Sequence, residues 1–265
     1  MTTLEALILG IVQGLTEFLP ISSSGHIELG KELLGVQSKK PLVFMVLVHG
    51  ATVLSTIVVF YRQIGDIIKG AFRFQWNEET EYIAKILVSM IPVAIIGVFF
   101  KDQVEYFFEG RIMWVGIMLL VTALLLWATT LTRGENGKRV NFPKALLIGI
   151  GQALAVMPGI SRSGATISTA LLLKVDRYRA TQFSFLMVLI PILGQTALQV
   201  KDILSQSGSM QGLNPMSLLV GFVAAFVSGL FACRWMVQIV RRGKILYFSL
   251  YCLIIGSIAI YYGWS

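Results

Sequence analysis

Six long apolar stretches, separated by short polar segments, make up most of the chain. Each approaches the roughly 20 residues that a helix needs to cross the hydrocarbon core of a bilayer. The pattern therefore predicts six transmembrane helices, over Pro41 to Tyr61, Tyr82 to Phe100, Ile112 to Leu131, Gln182 to Val200, Pro215 to Arg234 and Ile245 to Trp264.

Two other segments do not read as single spans. Residues 1–40 and 142–175 each contain a moderately apolar helix, a break rich in Pro, Ser and Gly, and a second short helix. Lipid cannot satisfy the backbone polar groups of such a break, so it must be buried in protein or line a wet cavity. The pattern therefore favours two re-entrant helix hairpins over ordinary crossings.

The two hairpins carry the same sequence pattern. Residues 10–25 recur as residues 149–164, at a fixed offset and without a gap. Each repeat is then a hairpin plus three spans, and because three is odd the second repeat enters the membrane from the opposite side. The chain is predicted to be an all-α polytopic membrane protein forming a single membrane domain (1–265), with a first repeat over 1–131 and an inverted second repeat over 142–265, so that the hairpin tips can meet.

Composition agrees with this class. Apolar residues make up 55% of the chain and charged residues 14%, with a mean hydropathy of +0.76. In soluble domains, apolar residues average roughly 45–50% and charged residues roughly 25%. A net charge of +8 would suggest nucleic acid in a soluble protein, but here the basic residues cluster between helices, so topology explains them and no nucleic-acid partner is expected.

The basic residues also predict the orientation. If the loops alternate sides, sixteen of the 22 Lys and Arg residues share one side, which the positive-inside rule makes cytoplasmic. Both termini and the entry of the first hairpin are then external. The sixteen are Arg62, Lys69, Arg73, Lys85, Arg133, Lys138, Arg139, Lys144, Arg162, Lys174, Arg177, Arg179, Arg234, Arg241, Arg242 and Lys244.

Gln13 and Glu17 stand four residues apart on the first predicted helix, so their side chains share one face. A charged side chain at mid-membrane costs about 2.5–3.5 kcal/mol, and intramembrane ionisable residues are functional by default. Oxygen ligands at this spacing suit a hard cation such as Mg²⁺ or Ca²⁺. The alternative is a polar pair that caps local backbone.

The first break continues with Ser22, Ser23, Ser24 and His26. Hydroxyls and loop amides could bind phosphate oxygens, and His26 could act as a nucleophile, acid or base. The alternative is helix capping, which serines routinely perform. The other histidine, His49, is expected to hydrogen-bond a neighbouring helix, although proximity to the hairpins stays open.

The second break places Arg162 among the hydroxyl residues Ser161, Ser163 and Thr166, immediately before a helix. Arg binds phosphate bidentately, and helix N-terminal amides add donors. The alternative, a structural Arg that reaches the headgroups, has no easy route from a loop tip in apolar sequence. Together the two breaks supply the residue types of phosphoryl transfer, with Ser23, His26 and a metal-activated water all open as the attacking group.

A substrate whose phosphates must reach a site in the membrane is most simply a lipid. The sequence therefore predicts a lipid phosphatase or pyrophosphatase. The strongest rival is a transporter or flippase for a polyprenyl phosphate, because inverted repeats with broken helices are the usual architecture of secondary carriers.

The motifs GLTEFLPISSSGH (residues 14–26) and PGISRSGAT (158–166) resemble the two signature motifs of the bacterial undecaprenyl pyrophosphate phosphatases, the bacitracin-resistance family. The resemblance extends over essentially the whole chain and includes FSFL at 183–186. One position departs from it, because many members carry Glu where this chain has Gln13. An amide can still donate oxygen to a metal but cannot serve as a base, so Glu17 is expected to be the essential acidic residue.

The resemblance implies metal-dependent hydrolysis of undecaprenyl diphosphate to the monophosphate and inorganic phosphate, which recycles the lipid carrier for peptidoglycan and confers bacitracin resistance. It also implies inverted repeats, a dimer and a place in the bacterial cytoplasmic (inner) membrane. The implied site has Gln13 and Glu17 toward the metal, Glu17, Ser23, His26 and Arg162 in catalysis, and Ser22, Ser161, Arg162, Ser163 and Thr166 toward the phosphates. The hydroxyl of Ser24 in the first break is a further candidate for phosphate binding.

Overall fold

The computed structural model of the protein describes residues 1–33, 41–100, 112–132, 137–205 and 214–264. Within these ranges the chain is helical, apart from turns and one isolated bridge between Lys138 and Val175. The helices are α1 (Thr3–Phe18), α2 (Ser23–Leu33), α3 (Pro41–Val59), α4 (Tyr61–Ala71), α5 (Glu78–Phe99), α6 (Ile112–Ala128, continued by a 3₁₀ turn over Thr129–Leu131), α7 (Phe142–Leu154), α8 (Arg162–Leu172), α9 (Arg177–Met187), α10 (Leu189–Ser205), α11 (Pro215–Arg241) and α12 (Leu246–Trp264).

The protein is a multi-pass membrane protein. In the described ranges five helical segments are long and apolar enough to cross a bilayer, and the bent pair α3–α4 makes a sixth if it is one span. The five are Glu78–Phe99, Ile112–Leu131, Arg177–Lys201, Pro215–Arg241 and Leu246–Trp264. The predicted stretches each fall on one of these six, which confirms the all-helical membrane class.

One predicted span is interrupted. It turns by 78° at Phe60, where α3 gives way to α4. The sequence prediction treated this stretch as continuous, because Phe60 is not a helix-breaking residue. The fourth span stays one apolar segment over Arg177–Lys201, and Val188, between α9 and α10, keeps a right-handed helical conformation.

The two Pro/Ser/Gly segments form helix–break–helix units, as predicted. The first consists of α1 and α2 with a break at 19–22, and the second of α7 and α8 with a break at 155–161. In each unit the two helices contact one another. The last residues of the first predicted hairpin, 34–40, lie outside the described part of the chain.

Each unit packs closely on a long helix of the other predicted repeat. The helix α1 lies on α11, and α7 lies on α5. At Gly10 an added Cβ would collide with the backbone carbonyl oxygen of Gly221, and at Gly149 with that of Ser89. Gly10 and Gly149 occupy equivalent positions of the repeat, and this exchange of contacts supports the inverted arrangement, which stays a prediction.

The two breaks meet inside the protein. The hydroxyl of Ser163 donates a hydrogen bond to the carbonyl oxygen of Leu19 over 3.2 Å. A Cβ added at Gly164 would lie 3.3 Å from Cβ of Pro20, and one added at Gly25 would lie 3.4 Å from Cα of Gly159. Both breaks thus contribute to one junction, which is where the sequence expected the hairpin tips to meet.

We expect Gly149→Ala to destabilise the protein, because the new methyl group must push α7 away from the backbone of α5. Overpacking of this kind costs about 1–3 kcal/mol. The measurement is the thermal unfolding midpoint of the purified protein in detergent. Gly97→Ala is the matched control, since open space surrounds that position near the end of α5, and Ala is favoured over Gly in a helix. Equal midpoints for the two variants would contradict the close contact.

Candidate functional site

The carboxylate of Glu17 is the centre of a hydrogen-bonded cluster at the junction of the two breaks. Its Oε2 accepts from Nε2 of Gln13 over 3.0 Å and from the hydroxyl of Ser23 over 2.8 Å. Its Oε1 accepts from Nη2 of Arg162 over 3.1 Å. The Glu17 side chain is only 8% exposed and Arg162 is 29% exposed. The structure therefore brings together four residues predicted for the site, from both halves of the chain.

Local structure in the first unit sets three of these positions. Gln13 and Glu17 lie one turn apart on α1, so they project from the same face. The chain then reverses and α2 begins at Ser23. Ser22, just before α2, has φ = 71°, a left-handed conformation that non-glycine residues seldom adopt. That conformation aims the first turn of α2, with the Ser23 hydroxyl, back at the carboxylate.

The second unit holds Arg162 at the first position of α8. Ser161 caps this helix, because its hydroxyl accepts from the N–H of Gly164 over 3.1 Å. The N–H of Ser161 in turn donates to Oγ1 of Thr122 over 3.0 Å, and the same Oγ1 lies 3.1 Å from the carbonyl oxygen of Gly159. The side chain of Thr122 on α6 thereby fixes the break from which the guanidinium extends.

Most of the remaining predicted hydroxyls are engaged with the backbone. The Ser22 hydroxyl accepts from the N–H of Gly25 over 3.4 Å and lies 3.3 Å from that of Ser24. Thr166 donates to the carbonyl oxygen of Arg162 over 2.8 Å. Ser161 and Ser163 have hydroxyl oxygens 3.3 Å apart. Ser22 therefore caps the start of α2, as the alternative for the first break expected, and Ser161 caps α8 in the same way. Their binding of phosphate stays a prediction, while Ser163 and Thr166 also line the pocket described below.

The imidazole of His26 bonds groups other than the Glu17 carboxylate. Its Nδ1 lies 2.9 Å from the carbonyl oxygen of Ser22, and its Nε2 lies 2.8 Å from the hydroxyl of Tyr251. The imidazole and the Tyr251 ring are stacked with centroids 5.5 Å apart. Since Nδ1 faces a carbonyl it carries the hydrogen, and Nε2 accepts from Tyr251. Both ring nitrogens are thus occupied, and Tyr251 is a site neighbour that the sequence did not indicate.

His49 faces the cluster. Its Nε2 lies 4.0 Å from Oε2 of Glu17, and its side chain is 27% exposed. Its Nδ1 lies 2.8 Å from the carbonyl oxygen of Met45, one turn earlier on α3. The expected bond to a neighbouring helix is replaced by this bond within α3. The sequence signal that could have marked His49 is that it is an ionisable residue within an apolar span.

A pocket of about 360 Å³, its opening included, adjoins the cluster. Its lining includes both polar and apolar side chains. Such a lining suits an amphiphile with an anionic headgroup. The polar lining residues are Glu17, Thr52, Thr56, Arg162, Ser163, Thr166 and Ser184, and the apolar ones are Phe18, Val53, Phe185, Val188 and Ile192.

The oxygen atoms of Glu17 and Gln13 are suitable ligands for a hard divalent cation that also binds the phosphates of a substrate. Within the described ranges no three His, Cys, Asp or Glu side chains cluster as a complete metal site. Mg²⁺ is, however, commonly held by one or two carboxylates together with substrate phosphates. Oε1 of Gln13 is buried and has no hydrogen-bond partner among the described residues, and a half-turn of the amide would exchange it with Nε2. Glu17 and Gln13 therefore fit the predicted Mg²⁺ or Ca²⁺ only if phosphate oxygens complete the set.

Comparison with known proteins covers nearly the whole chain. A family model described as "Bacitracin resistance protein BacA" matches residues 6–258. A protein named undecaprenyl-diphosphatase from Parabacteroides distasonis is 50% identical over 260 residues, 98% of each chain. Proteins of the same name from Bacteroides fragilis and Christiangramia forsetii are 48% and 47% identical, over 97% and 100% of this chain and 96% and 100% of their own. The chain therefore belongs to the BacA family of bacitracin resistance proteins.

Proposed function

We propose that the protein is a hydrolase that converts undecaprenyl diphosphate to undecaprenyl phosphate and inorganic phosphate. This reaction regenerates the lipid carrier of peptidoglycan and other envelope polymers, and an excess of the enzyme confers resistance to bacitracin. The observation that carries the proposal is the junction at which Glu17 accepts hydrogen bonds from Ser23 and Arg162. The names of the relatives support the same activity.

The pocket supports a lipid substrate. Arg162 and the hydroxyl residues Ser163 and Thr166 line the pocket and can bind a diphosphate, while Phe185 and Ile192 in the same lining can contact a polyprenyl chain. One guanidinium nitrogen of Arg162 is committed to Glu17. The other donors of the fork are available for the bidentate phosphate contact that Arg favours.

Ser23 is the best-placed nucleophile. Its hydroxyl donates to Glu17 over 2.8 Å, which is within the range expected of a nucleophile and its base. In this scheme Oγ of Ser23 bonds to the terminal phosphorus while the bond from that phosphorus to the bridging oxygen breaks. The hydroxyl proton passes to Glu17 and undecaprenyl phosphate leaves. The oxygen of a water molecule then bonds to the phosphorus while the bond from phosphorus to Oγ breaks. Glu17 returns its proton to Oγ, which restores Ser23 and the carboxylate, and inorganic phosphate leaves with the protons of the water.

Glu17 and Gln13 are the residues that would hold a divalent metal, which when bound polarises the phosphoryl oxygens and offsets their negative charge. The guanidinium of Arg162, in the second half of the chain, likewise offsets the negative charge of the phosphoryl oxygens. His26 can assist the reaction through its hydrogen bond with Tyr251. Alternatively, it serves only to fix the start of α2 through its hydrogen bond with Ser22. The names of the relatives give no support to the polyprenyl-phosphate transporter considered from the sequence.

The finer points of localisation and assembly are also part of this proposal. The protein is placed in the bacterial cytoplasmic membrane, with both termini and the first unit opening outward, and it forms a homodimer. Arg162 belongs to the junction rather than to a loop. When Arg162 is left out of the count, fifteen of the sixteen basic residues still lie on the cytoplasmic side, so the charge bias that supports the orientation persists.

We expect Arg162→Ala to reduce phosphate release from undecaprenyl diphosphate by about 10²–10³-fold, the usual cost of losing one electrostatic contact to the transition state. The assay uses purified protein with added Mg²⁺ or Ca²⁺, and chelator should abolish release by the wild type. Arg179→Ala, an exposed residue away from the junction, is the control and should keep full turnover. Near-normal turnover by Arg162→Ala would refute the assigned site, and no release by folded wild type would favour the transporter.

We expect Ser23→Ala to abolish phosphate release and the labelling of the protein by substrate carrying ³²P in its terminal phosphate. Rapid acid quench followed by peptide mapping locates the phosphoserine. Ser257→Ala is the matched control, since that exposed serine bonds only its own helix through Leu253. If Ser23→Ala retains turnover, Ser23 is not the nucleophile. A label that survives alkaline but not acid quench then assigns the attack to His26, and the absence of any label under both quenches assigns it to a water molecule.

We expect reporter fusions in the turn at 72–76, between α4 and α5, to report a cytoplasmic location. Arg73 lies in this turn and Lys69 precedes it, which agrees with the positive-inside rule. Fusions after Trp264, at the end of α12, should report the external side. The reverse pair of signals would overturn the proposed orientation without affecting the phosphatase assignment.

A further inference from the structure

His49, beside the Glu17 cluster, has one ring nitrogen with no hydrogen bond to any of the residues that the structure describes. Its Nδ1 lies 2.8 Å from the carbonyl oxygen of Met45, so Nδ1 carries the hydrogen and Nε2 presents its lone pair. Nε2 lies 4.0 Å from Oε2 of Glu17. We propose that His49 is a direct ligand of the divalent metal, which it binds through Nε2 together with Glu17. This inference rests on the proposed metal-dependent hydrolysis.

The hydrogen bond to Met45 has the form expected of a metal-binding histidine. Such residues almost always donate their other ring N–H to a carboxylate, a backbone carbonyl or a water, which fixes the tautomer and the direction of the free nitrogen. In His49 the acceptor is a carbonyl of the preceding turn of α3, so the orientation of the ring follows from the helix itself.

The separation between the two side chains also fits a shared ion. At 4.0 Å, Nε2 of His49 and Oε2 of Glu17 are too far apart for a hydrogen bond. Ligand atoms about 2.1 Å from one ion lie between roughly 3 and 4 Å from one another, depending on whether they are adjacent or opposite. A bound cation would therefore occupy the gap without a large movement of either side chain.

His49 also changes the kind of metal that the site should prefer. Without it the protein offers only oxygen ligands, from Glu17 and the amide of Gln13, which suit Mg²⁺ and Ca²⁺. An imidazole nitrogen adds affinity for first-row transition ions, which bind nitrogen and oxygen together. We therefore expect Mn²⁺ to bind more tightly than Ca²⁺, and His49 to be the cause of that preference.

The test uses the full-length protein in detergent, purified without a histidine tag, with Mn²⁺ and methylenediphosphonate as the probe. Pulsed EPR detects nitrogen nuclei bound to Mn²⁺, and because the chain has two histidines an imidazole signal arises from one of them. We expect the wild type to show imidazole coupling. His49→Gln should lose it and weaken Mn²⁺ binding by about tenfold or more, whereas Ca²⁺ binding should change little.

His26→Gln is the matched control, because His26 is held by Ser22 and Tyr251, and it should retain the imidazole coupling. Coupling that persists in His49→Gln, or wild type that binds Mn²⁺ without any imidazole signal, would overturn the proposal. Phosphate release is measured on the same samples. Metal-dependent hydrolysis without imidazole coupling defeats this inference alone, whereas imidazole coupling without hydrolysis defeats the proposed function and leaves the metal site standing.

Discussion

The ion pair between Glu17 and Arg162 is the interaction on which the rest of the structure depends. It joins α1 to α8 across 145 positions of the sequence, and its carboxylate is almost entirely shielded from solvent. Breaking a buried pair by removing one partner leaves an uncompensated charge, which typically costs 3–5 kcal/mol. The two helix breaks must therefore meet for either charge to be tolerated inside an apolar protein. Docking of the two halves and construction of the site are the same event.

Small residues make that meeting possible. In a bilayer, helices associate through close van der Waals packing and hydrogen bonds between helices rather than through the hydrophobic effect. At Gly14, one residue after Gln13, an added Cβ would collide with Ser228 and with the backbone of α11. Ser55 on α3 donates to the carbonyl oxygen of Phe226 on α11 over 2.9 Å. The close contact of α1 with α11 thus sets the depth at which Glu17 faces the second break.

The sequence predicted the helices and the breaks, but not which faces of the long helices turn toward the site. Hydropathy identifies a span by its length, and Pro, Ser and Gly mark a break, because both properties are local. The side chain of His49 lies on α3, which is apolar all round apart from a few small polar residues, so periodicity gives no direction for it. The bend at Phe60 and the contact between His26 and Tyr251, 225 positions apart, depend on tertiary packing in the same way.

Fewer side chains at the junction are free to contact a substrate than the number of polar residues there suggests. Ser22 and Ser161 already bond the backbone, so they stabilise the two breaks before any substrate arrives. The two histidines differ in the same respect, since His26 uses both ring nitrogens and His49 uses one. Ser23 and Arg162 instead spend their hydrogen bonds on Glu17, an anion that a bound phosphate can replace as their acceptor. Under the proposed function, the groups that bond Glu17 are therefore the ones that exchange partners during the reaction, whereas the capping serines hold the two breaks.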